Sequence, residues 1–589
     1  MRIPKSTFLA SLVTLLGLAS LASALEPIRI VGTGARIAYT RFQTSGTSTA
    51  FWHRTPHQLG GPVDELDIGF MNWLHTSKTE MANTNVVTIT HAWVERAATG
   101  QVLPLTFSGA RNFDMPADST QAYFLADPIP STAWTGATPS RDELFWVSAK
   151  GSVATTGEFI CQGTPSTYRD PANSSNRAKF CLYDPTNDPG TFDVAGPAPS
   201  IAGENTRTDG LPMVFLGRYT GPGHLSVVGI GDSIMTGSGD PANPVPEVSG
   251  YGFFNRAAVD GSSANTIAML NVSRHGESAA SWVSKHSFRE QLLPFANVAV
   301  EEYATNDIGS NGGSADVNAI YGRLESIWAD CQAAGIQKIL RTTLFPRTTS
   351  VSYDWVSLED QTPNAGWGDG EARDQINAMF PTAVAEGKID GVVDTLSVTC
   401  DPTDTHYWFT DGTNDLMTSD GTHLRSAANI AAAAPLRAAL LALTVDGPTE
   451  TSYLNWSDSI EWSGGDSSPL ADPNLDGVSN LICFATGADP LDAAAAADKL
   501  PTCGIMSDVG VDWLTFSYRE RNNAAGLICS VISSETLAGW NELVPDGSAV
   551  ILETLDSDPD GDGNYSLYQV KVNMSLRPDV RFLRLQVEL

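Results

Sequence analysis

The segment LSVVGIGDSI, residues 225–234, decides the fold of the central part of this chain. Its first six residues are dominated by apolar side chains, which is typical of a strand buried on both faces of a parallel sheet. The run ends directly in Gly231-Asp232-Ser233, where small residues allow a sharp turn. The segment therefore predicts a buried strand with a serine just beyond its carboxyl end.

The same pattern continues downstream. Three further buried strands are predicted over residues 267–272, 298–303 and 339–345. Polar segments at 274–278 and 304–307 follow the first two, and apolar residues at spacings of three and four predict an amphipathic helix over 317–331. Alternating strands and helices indicate a parallel sheet, in which ligands bind beyond the carboxyl ends of the strands. The polar segments are therefore expected to converge on one crevice.

A serine hydroxyl is inert at neutral pH unless a base stands next to it. The segment Asp420-Gly421-Thr422-His423 supplies a histidine and a carboxylate on a single turn. At this spacing the Asp420 carboxylate can accept the Nδ1 proton of His423, which leaves Nε2 free to deprotonate Ser233. The sequence therefore predicts a Ser-His-Asp triad.

Acyl transfer also needs donors aimed at the developing oxyanion. The candidates are the backbone N–H groups of Ser233 and Gly276 and the side-chain amide of Asn306. The residue before Gly276, His275, is interpreted as structural, and Asp232 as a residue that fixes the turn by hydrogen bonds to the backbone.

Together these motifs resemble those of the SGNH hydrolase superfamily, the GDSL-type esterases and lipases. The resemblance covers about residues 223–443, and its blocks are matched in order by Gly231–Ile234, Gly276, Asn306-Asp307 and Asp420-x-x-His423. It implies a flavodoxin-like α/β fold, Ser233 as nucleophile, Gly276 and Asn306 in the oxyanion hole, His423 with Asp420 as base and orienting acid, and no cofactor for catalysis. The third block of the family normally starts with glycine. Ala304 stands there in this chain, and we expect its methyl group to affect substrate size.

Aromatic residues on loops favour a carbohydrate substrate, because indole rings pack against the C–H faces of sugars. The three candidate platforms are Trp355, Trp367 and Trp408. We expect a serine esterase that removes acetyl groups from a carbohydrate. One alternative is a lipid or short-chain aryl-ester hydrolase of the same superfamily. Another is a non-catalytic, calcium-stabilised glycan-binding or adhesion protein.

The first 24 residues have the pattern of a cleaved secretory signal peptide. Two basic residues precede an apolar stretch, and the small residues Ala22-Ser23-Ala24 follow it. This predicts a secreted or periplasmic bacterial protein. Short β-branched and aromatic runs predict a β-rich accessory domain, a β-sandwich, at 25–220, ahead of a catalytic domain at 221–445.

Residues 446–495 are interpreted as a linker, followed by a small β-sandwich at 496–589 that is a candidate for attachment to a cell surface or polysaccharide. Within the linker, oxygen-bearing side chains at positions 1, 3, 5 and 9 of a calcium-loop pattern are Asp472, Asn474, Asp476 and Asn480. Cys483 occupies position 12, where a bidentate glutamate is expected. Residues 472–491 resemble instead the Asp-rich calcium-binding repeats of secreted proteins. An Asx-turn linker without calcium is the alternative, and residues 556–563 are a second acidic candidate.

The composition narrows the range of partners. A net charge of −32 argues against nucleic acid as a ligand and favours solubility or calcium binding. Beyond the first 24 residues, no window of about 18 apolar residues is present that could span a membrane. All seven cysteines follow the signal peptide, where disulfides persist, and Cys161 with Cys181 is the first pairing expected.

Overall fold

The computed structural model describes residues 26–445, apart from 77–78, 164–177, 208–209, 241–249, 261–263 and 285. It also describes residues 453–588, apart from 459, 461, 463–465, 493–498, 509, 522–523, 525–526, 538, 557–558 and 560–564. The predicted signal peptide and most of the acidic stretch at 556–563 lie outside the described residues. The chain forms two compact units, Glu26–Val445 and a second that holds the described part of Asp446–Leu589.

The first unit contains strands β1 to β24. In chain order they are β1 (Arg29–Ile30), β2 (Ala35–Arg36), β3 (Ala38–Gln43), β4 (Ala50–Gln58), β5 (Val63–Phe70), β6 (Trp73–Thr76), β7 (Thr79–Ala82), β8 (Val87–Arg96), β9 (Gln101–Leu105), β10 (Phe113–Met115), β11 (Phe124–Leu125), β12 (Ile129–Pro130), β13 (Leu144–Ser152), β14 (Phe159–Gly163), β15 (Lys179–Tyr183), β16 (Asn205–Arg207), β17 (Met213–Tyr219), β18 (Ser226–Ile230), β19 (Ala268–Asn271), β20 (Val298–Glu301), β21 (Lys338–Thr342), β22 (Thr348–Ser350), β23 (Gln361–Pro363) and β24 (Gly391–Val393).

Its helices are α1 (Phe253–Arg256), α2 (Ala279–Ser284), α3 (Ser287–Glu290), α4 (Thr305–Asn311), α5 (Val317–Ala333), α6 (Ala372–Ala385), α7 (Leu396–Thr399) and α8 (Ser426–Leu441). Short 3-10 helices span Ser131–Ala133, Pro185–Asn187, Leu293–Phe295 and Gly312–Ser314. Among the described residues, no helix has the length and apolar character needed to cross a membrane.

Five parallel strands form the centre of the first unit, in the order β19-β18-β20-β21-β24. This is the order of a doubly wound sheet of the flavodoxin type, whose ligand crevice opens where the strand order reverses. All five residues of β18 are buried, as its apolar composition predicts. The parallel sheet and the buried strand before Ser233 are confirmed.

The β-rich segment before residue 220 is not a separate unit, which corrects the predicted domain boundary. Strand β2 pairs in parallel with β19, and β17, β5, β11 and β12 continue the same sheet. One apolar core includes Ile30 and Phe215 from this segment together with Leu270 and Ile308. A second, antiparallel sheet, β10-β8-β13-β4-β15-β16, contributes to the same core. The early strands therefore extend the parallel sheet that ends at Ser233.

The described residues of the second unit form two helices and two antiparallel sheets. Its elements are α9 (Tyr453–Asp458), α10 (Asn480–Thr486), β25 (Thr502–Asp508), β26 (Val511–Arg521), β27 (Ile528–Ser534), β28 (Asn541–Glu542), β29 (Val550–Asp556), β30 (Tyr565–Asn573) and β31 (Phe582–Glu588). The sheets run β25-β26-β30-β29 and β28-β27-β31. Apolar side chains of both sheets, among them Phe516, Val531 and Val572, share one core.

The expected disulfide between Cys161 and Cys181 is wrong, because all seven cysteines are free thiols. Cys161 on β14 is buried against Leu74, whereas Cys181 on β15 belongs to a different cluster that contains Trp52. Burial raises the pKa of both thiols to about 12. Both residues are therefore small apolar parts of the core.

Candidate active site

Ser233 lies on a tight turn that begins where β18 ends at Ile230. The Thr236 N–H donates to the Asp232 carbonyl at 3.0 Å, and the Ser238 N–H donates to the Ser233 carbonyl at 2.9 Å. These bonds fold the backbone back on itself and leave 7% of Ser233 exposed. The turn presents a serine hydroxyl at the carboxyl end of the central strand.

His423 and Asp420 lie on the turn that precedes α8. His423 Nε2 is 2.8 Å from Ser233 Oγ, and His423 Nδ1 is 2.6 Å from an Asp420 carboxylate oxygen. Gly421 permits this turn, because its φ is +74° and a Cβ there would collide with the Thr348 carbonyl oxygen. The structure brings the three predicted triad residues into one hydrogen-bonded relay.

The Asp420 carboxylate is held in place by the backbone of its own turn. Its Oδ1 accepts the N–H groups of Thr422 at 2.9 Å and His423 at 2.8 Å, while Oδ2 faces the imidazole. Burial alone would raise the pKa of Asp420, but these hydrogen bonds outweigh it and hold the pKa well below its usual range. An ionised Asp420 fixes the His423 tautomer that leaves Nε2 as the base.

Two backbone N–H groups are available for an oxyanion. Gly276 follows β19, is exposed and has a φ of +73°. Within the described parts of the chain, neither the Gly276 N–H nor the Ser233 N–H has a protein acceptor. Both groups are therefore free to bind a developing negative charge.

Asn306, in the first turn of α4, links the turn of Ser233 to the segment that contains Gly276. Its Nδ2 donates to Asp232 Oδ2 at 3.0 Å and to the Glu277 carbonyl at 2.7 Å. An amide has two hydrogens, so both are already bonded to protein acceptors. Asn306 lies where the sequence predicts it, and it bridges the nucleophile turn to the Gly276 segment.

Ala304 has a structural role different from the one expected. Its φ is +108°, in the left-handed region that favours glycine, and its methyl group is fully buried in the core with Tyr303 and Ile308. The methyl group therefore does not narrow a substrate pocket, which corrects the expected effect on substrate size. The positive φ of Ala304 strains the backbone two residues before Asn306.

Asp232 is paired with a second buried acid. The Asp232 N–H donates to Glu302 Oε2 at 3.2 Å, and Asp232 Oδ1 accepts the Ile234 N–H at 2.9 Å. Burial raises the pKa of Asp232, and burial with the neighbouring Asp232 charge raises that of Glu302 well above its ordinary value. Two carboxyls in one buried site do not both ionise readily, so Glu302 is expected to hold a proton.

The sequence did not indicate that His275 contacts the turn of Ser233. Its Nδ1 lies 3.3 Å from Ser238 Oγ, and the Ser238 N–H is bonded to the Ser233 carbonyl. Burial, the Arg274 charge and His423 lower the pKa of His275 to about 4. A neutral imidazole therefore stands next to the nucleophile turn. Its position beside Gly276 in the sequence was the available clue.

The three predicted tryptophan platforms are wrong, because all three indoles are buried: Trp355 is 5% exposed, Trp367 1% and Trp408 0%. The Trp355 Nε1–H donates to Thr348 Oγ1 at 3.0 Å, and the Trp408 Nε1–H donates to the Gly421 carbonyl at 3.1 Å. These rings support the Asp420–His423 turn from inside. Residue type alone did not reveal which aromatic is exposed.

Among the described residues, the predicted calcium loop and one cluster in the first unit have oxygen or nitrogen atoms that could bind a metal. In the predicted calcium loop, Asp472 Oδ2 accepts the Gly477 N–H at 2.8 Å and Asp476 Oδ1 accepts the Val478 N–H at 2.8 Å. In the first unit, Asp369, Asp374 and His406 have ligand atoms within 4.8 Å of one another. His406 Nε2 is already 2.9 Å from Asp374 Oδ2, so a hydrogen-bonded pair explains this second group.

No protein-family model and no curated protein matches the chain. Solved structures do match. A catalytic variant of an acetylxylan esterase from Geobacillus stearothermophilus is 15% identical over 37% of this chain and 95% of that one, with a TM-score of 0.25. A carbohydrate esterase of family 3 from Talaromyces cellulolyticus is 15% identical over 36% and 95%, with a TM-score of 0.23. The lipase Lip_vut3 from a goat rumen metagenome is 14% identical over 36% and 96%, with a TM-score of 0.23. At these values the similarity does not identify an activity.

The hydrogen bonds among Ser233, His423 and Asp420 predict how substitutions of these residues change the rate of ester hydrolysis. Ser233→Ala and His423→Ala should each lower the kcat for a short-chain nitrophenyl ester by at least roughly 10⁴-fold, because the hydroxyl and the base act as one unit. The double variant should lose little more than either single one. Turnover by Ser233→Ala within about tenfold of wild type would exclude Ser233 as the nucleophile.

Asn306 gives a second prediction. Asn306→Ala should lower kcat by roughly 10² to 10³ with little change in KM, because the alanine has no amide to transfer from Asp232 to the oxyanion. Steady-state kinetics on the same ester measure the effect. A fall of less than about tenfold would leave Asn306 as a bridge between the two segments and exclude it as a donor.

Proposed function

We propose that this protein is a secreted serine esterase that removes acetyl groups from a carbohydrate through an acyl-enzyme intermediate. The observation that carries the proposal is the relay of 2.8 Å from Ser233 Oγ to His423 Nε2 and 2.6 Å from His423 Nδ1 to Asp420. Export is inferred from the pattern of residues 1–24.

The proposed reaction follows from this geometry. Ser233 Oγ attacks the ester carbonyl carbon while His423 Nε2 takes the hydroxyl proton. The carbonyl oxygen becomes an oxyanion bound by the Ser233 and Gly276 N–H groups and by the Asn306 amide, which leaves Asp232 Oδ2 to donate to it. His423 returns the proton to the sugar oxygen as the ester C–O bond breaks. Water then attacks the acyl-enzyme, with His423 again as base, and releases acetate and Ser233. No step requires a cofactor.

The surroundings of the nucleophile support a short acyl group on a polar substrate. The turn of Ser233 carries the hydroxyls of Thr236 and Ser238, and the His275 imidazole from the segment after β19 lies 3.3 Å from Ser238 Oγ. A long acyl chain gains affinity only from an apolar pocket. A lipid or aryl-ester hydrolase of the same superfamily is the alternative, and its acyl group would need such a pocket.

A loop next to the catalytic turn offers an exposed aromatic ring. The Thr348 N–H donates to the Gly421 carbonyl at 3.0 Å, and the Trp355 indole packs against Gly421. Both ends of the segment 348–355 are therefore anchored at the turn that carries His423. Between them, Tyr353 is 81% exposed and has a φ of +63°. An exposed ring on a fixed loop is suited to stacking on a sugar, so Tyr353 takes the role first assigned to the tryptophans.

The substrate proposal is tested with acetylated xylan or another O-acetylated polysaccharide, alongside nitrophenyl esters of increasing chain length. Acetyl should be preferred to longer acyl groups. Tyr353→Ala should raise KM for the polysaccharide by about tenfold, a loss of stacking energy of about 1.4 kcal/mol, while leaving nitrophenyl acetate unaffected. Tyr353→Phe is the matched control and should behave as wild type.

Other results would favour the other functions. Activity that rises with chain length would favour the lipid or aryl-ester hydrolase. Polysaccharide binding with no turnover of any ester would favour the non-catalytic glycan-binding or adhesion protein.

We also propose that the linker of the second unit binds a structural calcium ion. The β-sandwich of that unit would attach the protein to a cell surface or a polysaccharide. The support for calcium is the spacing of the oxygen side chains Asp472, Asn474, Asp476 and Asn480. Asn480 is buried, and its Nδ2 donates to the Asp466 and Ser468 carbonyls at 3.0 Å. The amide thus ties the segment before the loop to the start of α10.

Chelation tests this assignment. If calcium binds the loop, a chelator should lower the melting temperature of the second unit or expose residues 446–495 to protease, because a ligand stabilises the state that binds it. Hydrolysis of nitrophenyl acetate should be nearly unchanged, since the proposed reaction uses no metal. Loss of this hydrolysis on chelation, with recovery on adding calcium, would instead place the metal in the catalytic unit.

A further inference from the structure

We propose that the β6–β7 hairpin sets the direction of the Gly276 N–H through a buried ion-pair cluster, so that Glu80 and Arg289 are positioning residues for catalysis. The inference rests on the proposed oxyanion role of Gly276. It assigns a function in the reaction to a hairpin that lies more than 140 residues before the nucleophile.

Gly276 cannot fix its own orientation. It is exposed, and a Cβ at this position would meet no atom within 4 Å. No side-chain packing therefore restrains its backbone, and glycine has the greatest backbone freedom of any residue. A donor stabilises the oxyanion best when its N–H already points to the position of the oxyanion before the reaction starts. The residues on either side of Gly276 must supply the restraint.

The residue after Gly276 is the centre of the cluster. Glu277 is fully buried, and its carboxylate accepts two bonds from the Arg289 guanidinium at 2.7 and 2.8 Å. The Tyr303 hydroxyl donates to it at 2.5 Å, and His75 Nε2 lies 3.2 Å away. Burial would raise the pKa of Glu277, but Arg289 and His75 outweigh burial and lower it to about 2. Glu277 is therefore a buried, ionised anchor.

Arg289 connects this anchor to the hairpin. Its Nε donates to Glu80 Oε1, and the Phe288 N–H donates to Glu80 Oε2 at 2.6 Å. The guanidinium also lies 4.4 Å from the centroid of the Trp282 ring. Glu80 on β7 is directly opposite His75 on β6. The hairpin thus contributes one carboxylate and one imidazole to the same cluster.

The hairpin also holds Arg274, two residues before the glycine. Arg274 Nε donates to the His75 carbonyl at 2.7 Å. The segment 274–277 is therefore attached to one hairpin on both sides of Gly276, by Arg274 and by Glu277. This double attachment is the geometric basis of the proposal.

The test compares two buried ion pairs of the first unit. Glu80→Gln removes the second carboxylate of Arg289 and should lower kcat for nitrophenyl acetate by about tenfold with KM within twofold, because a donor misplaced by a fraction of an ångström loses part of its effect. Glu95→Gln is the matched control. It breaks the buried Arg54–Glu95 pair of 2.9 Å on the antiparallel sheet and should lower the melting temperature without changing kcat.

A second measurement separates positioning from general loss of structure. A phenylboronic acid adds to Ser233 Oγ through a new B–O bond, while His423 takes the hydroxyl proton, and the tetrahedral adduct mimics the oxyanion. Its affinity should fall in Glu80→Gln by the same factor as kcat/KM. Arg274→Gln, at a half-buried position, should give the same pattern and serves if Glu80→Gln does not fold.

The outcomes are distinct. If Glu80→Gln and Arg274→Gln keep wild-type kcat and boronate affinity, the hairpin is only structural and the inference is wrong. If both Glu80→Gln and Glu95→Gln lower kcat equally, the effect is a general one and the inference is also wrong. If the wild-type protein hydrolyses no ester and does not bind the boronate, it is the proposed function that fails.

Discussion

The hydrogen bond between His423 Nε2 and Ser233 Oγ joins residues 190 positions apart, and the rest of the first unit is arranged around it. A bond of 2.8 Å tolerates little error in either partner. Ser233 is placed by the end of a strand buried on both faces, and His423 by a turn that only glycine at 421 allows. The buried indoles of Trp355 and Trp408 lie behind that turn. They stabilise the turn of His423 from the core, and so neither ring is exposed on the surface.

The parts of this arrangement that depend on local sequence were predictable. A buried strand, a turn of small residues and an Asp-x-x-His turn are each contained within a few residues. Sites in open parallel sheets lie beyond the carboxyl ends of the strands, so these segments were expected to meet there. Strand pairing is not local. The early strands have the same short β-branched pattern whether they close a separate sandwich or extend a neighbouring sheet, so the pairing of β2 with β19 could not be read from the chain. Whether a side chain is exposed also depends on residues distant in the chain. This explains why the predicted tryptophan platforms and the predicted disulfide of Cys161 were wrong.

The backbone next to the site has an energetic cost that composition does not reveal. Ala304 adopts a φ of +108°, which costs a non-glycine residue roughly 1 to 3 kcal/mol. Its buried methyl group offsets about 0.8 kcal/mol of this by leaving water. Asn306, in the first turn of the helix that follows, donates to both Asp232 and the Glu277 carbonyl. The strained residue thus directs an amide that connects the nucleophile turn to the Gly276 segment, and the core around Tyr303 and Ile308 sustains the strain.

The buried charges around Glu277 explain why the chain cannot be divided at residue 220. An isolated carboxylate inside a protein costs several kcal/mol, and the Arg289 guanidinium that compensates Glu277 needs partners for its own other N–H groups. Its Nε–H donates to Glu80, on a hairpin that precedes the sheet's central strand. Without the hairpin, Arg289 would have an unpaired N–H in the core, and Arg274 would lose its bond to the His75 carbonyl. A chain that begins at the central strand would therefore retain the sequence of the triad but lack the charges and carbonyl that hold the segment of Gly276 in place.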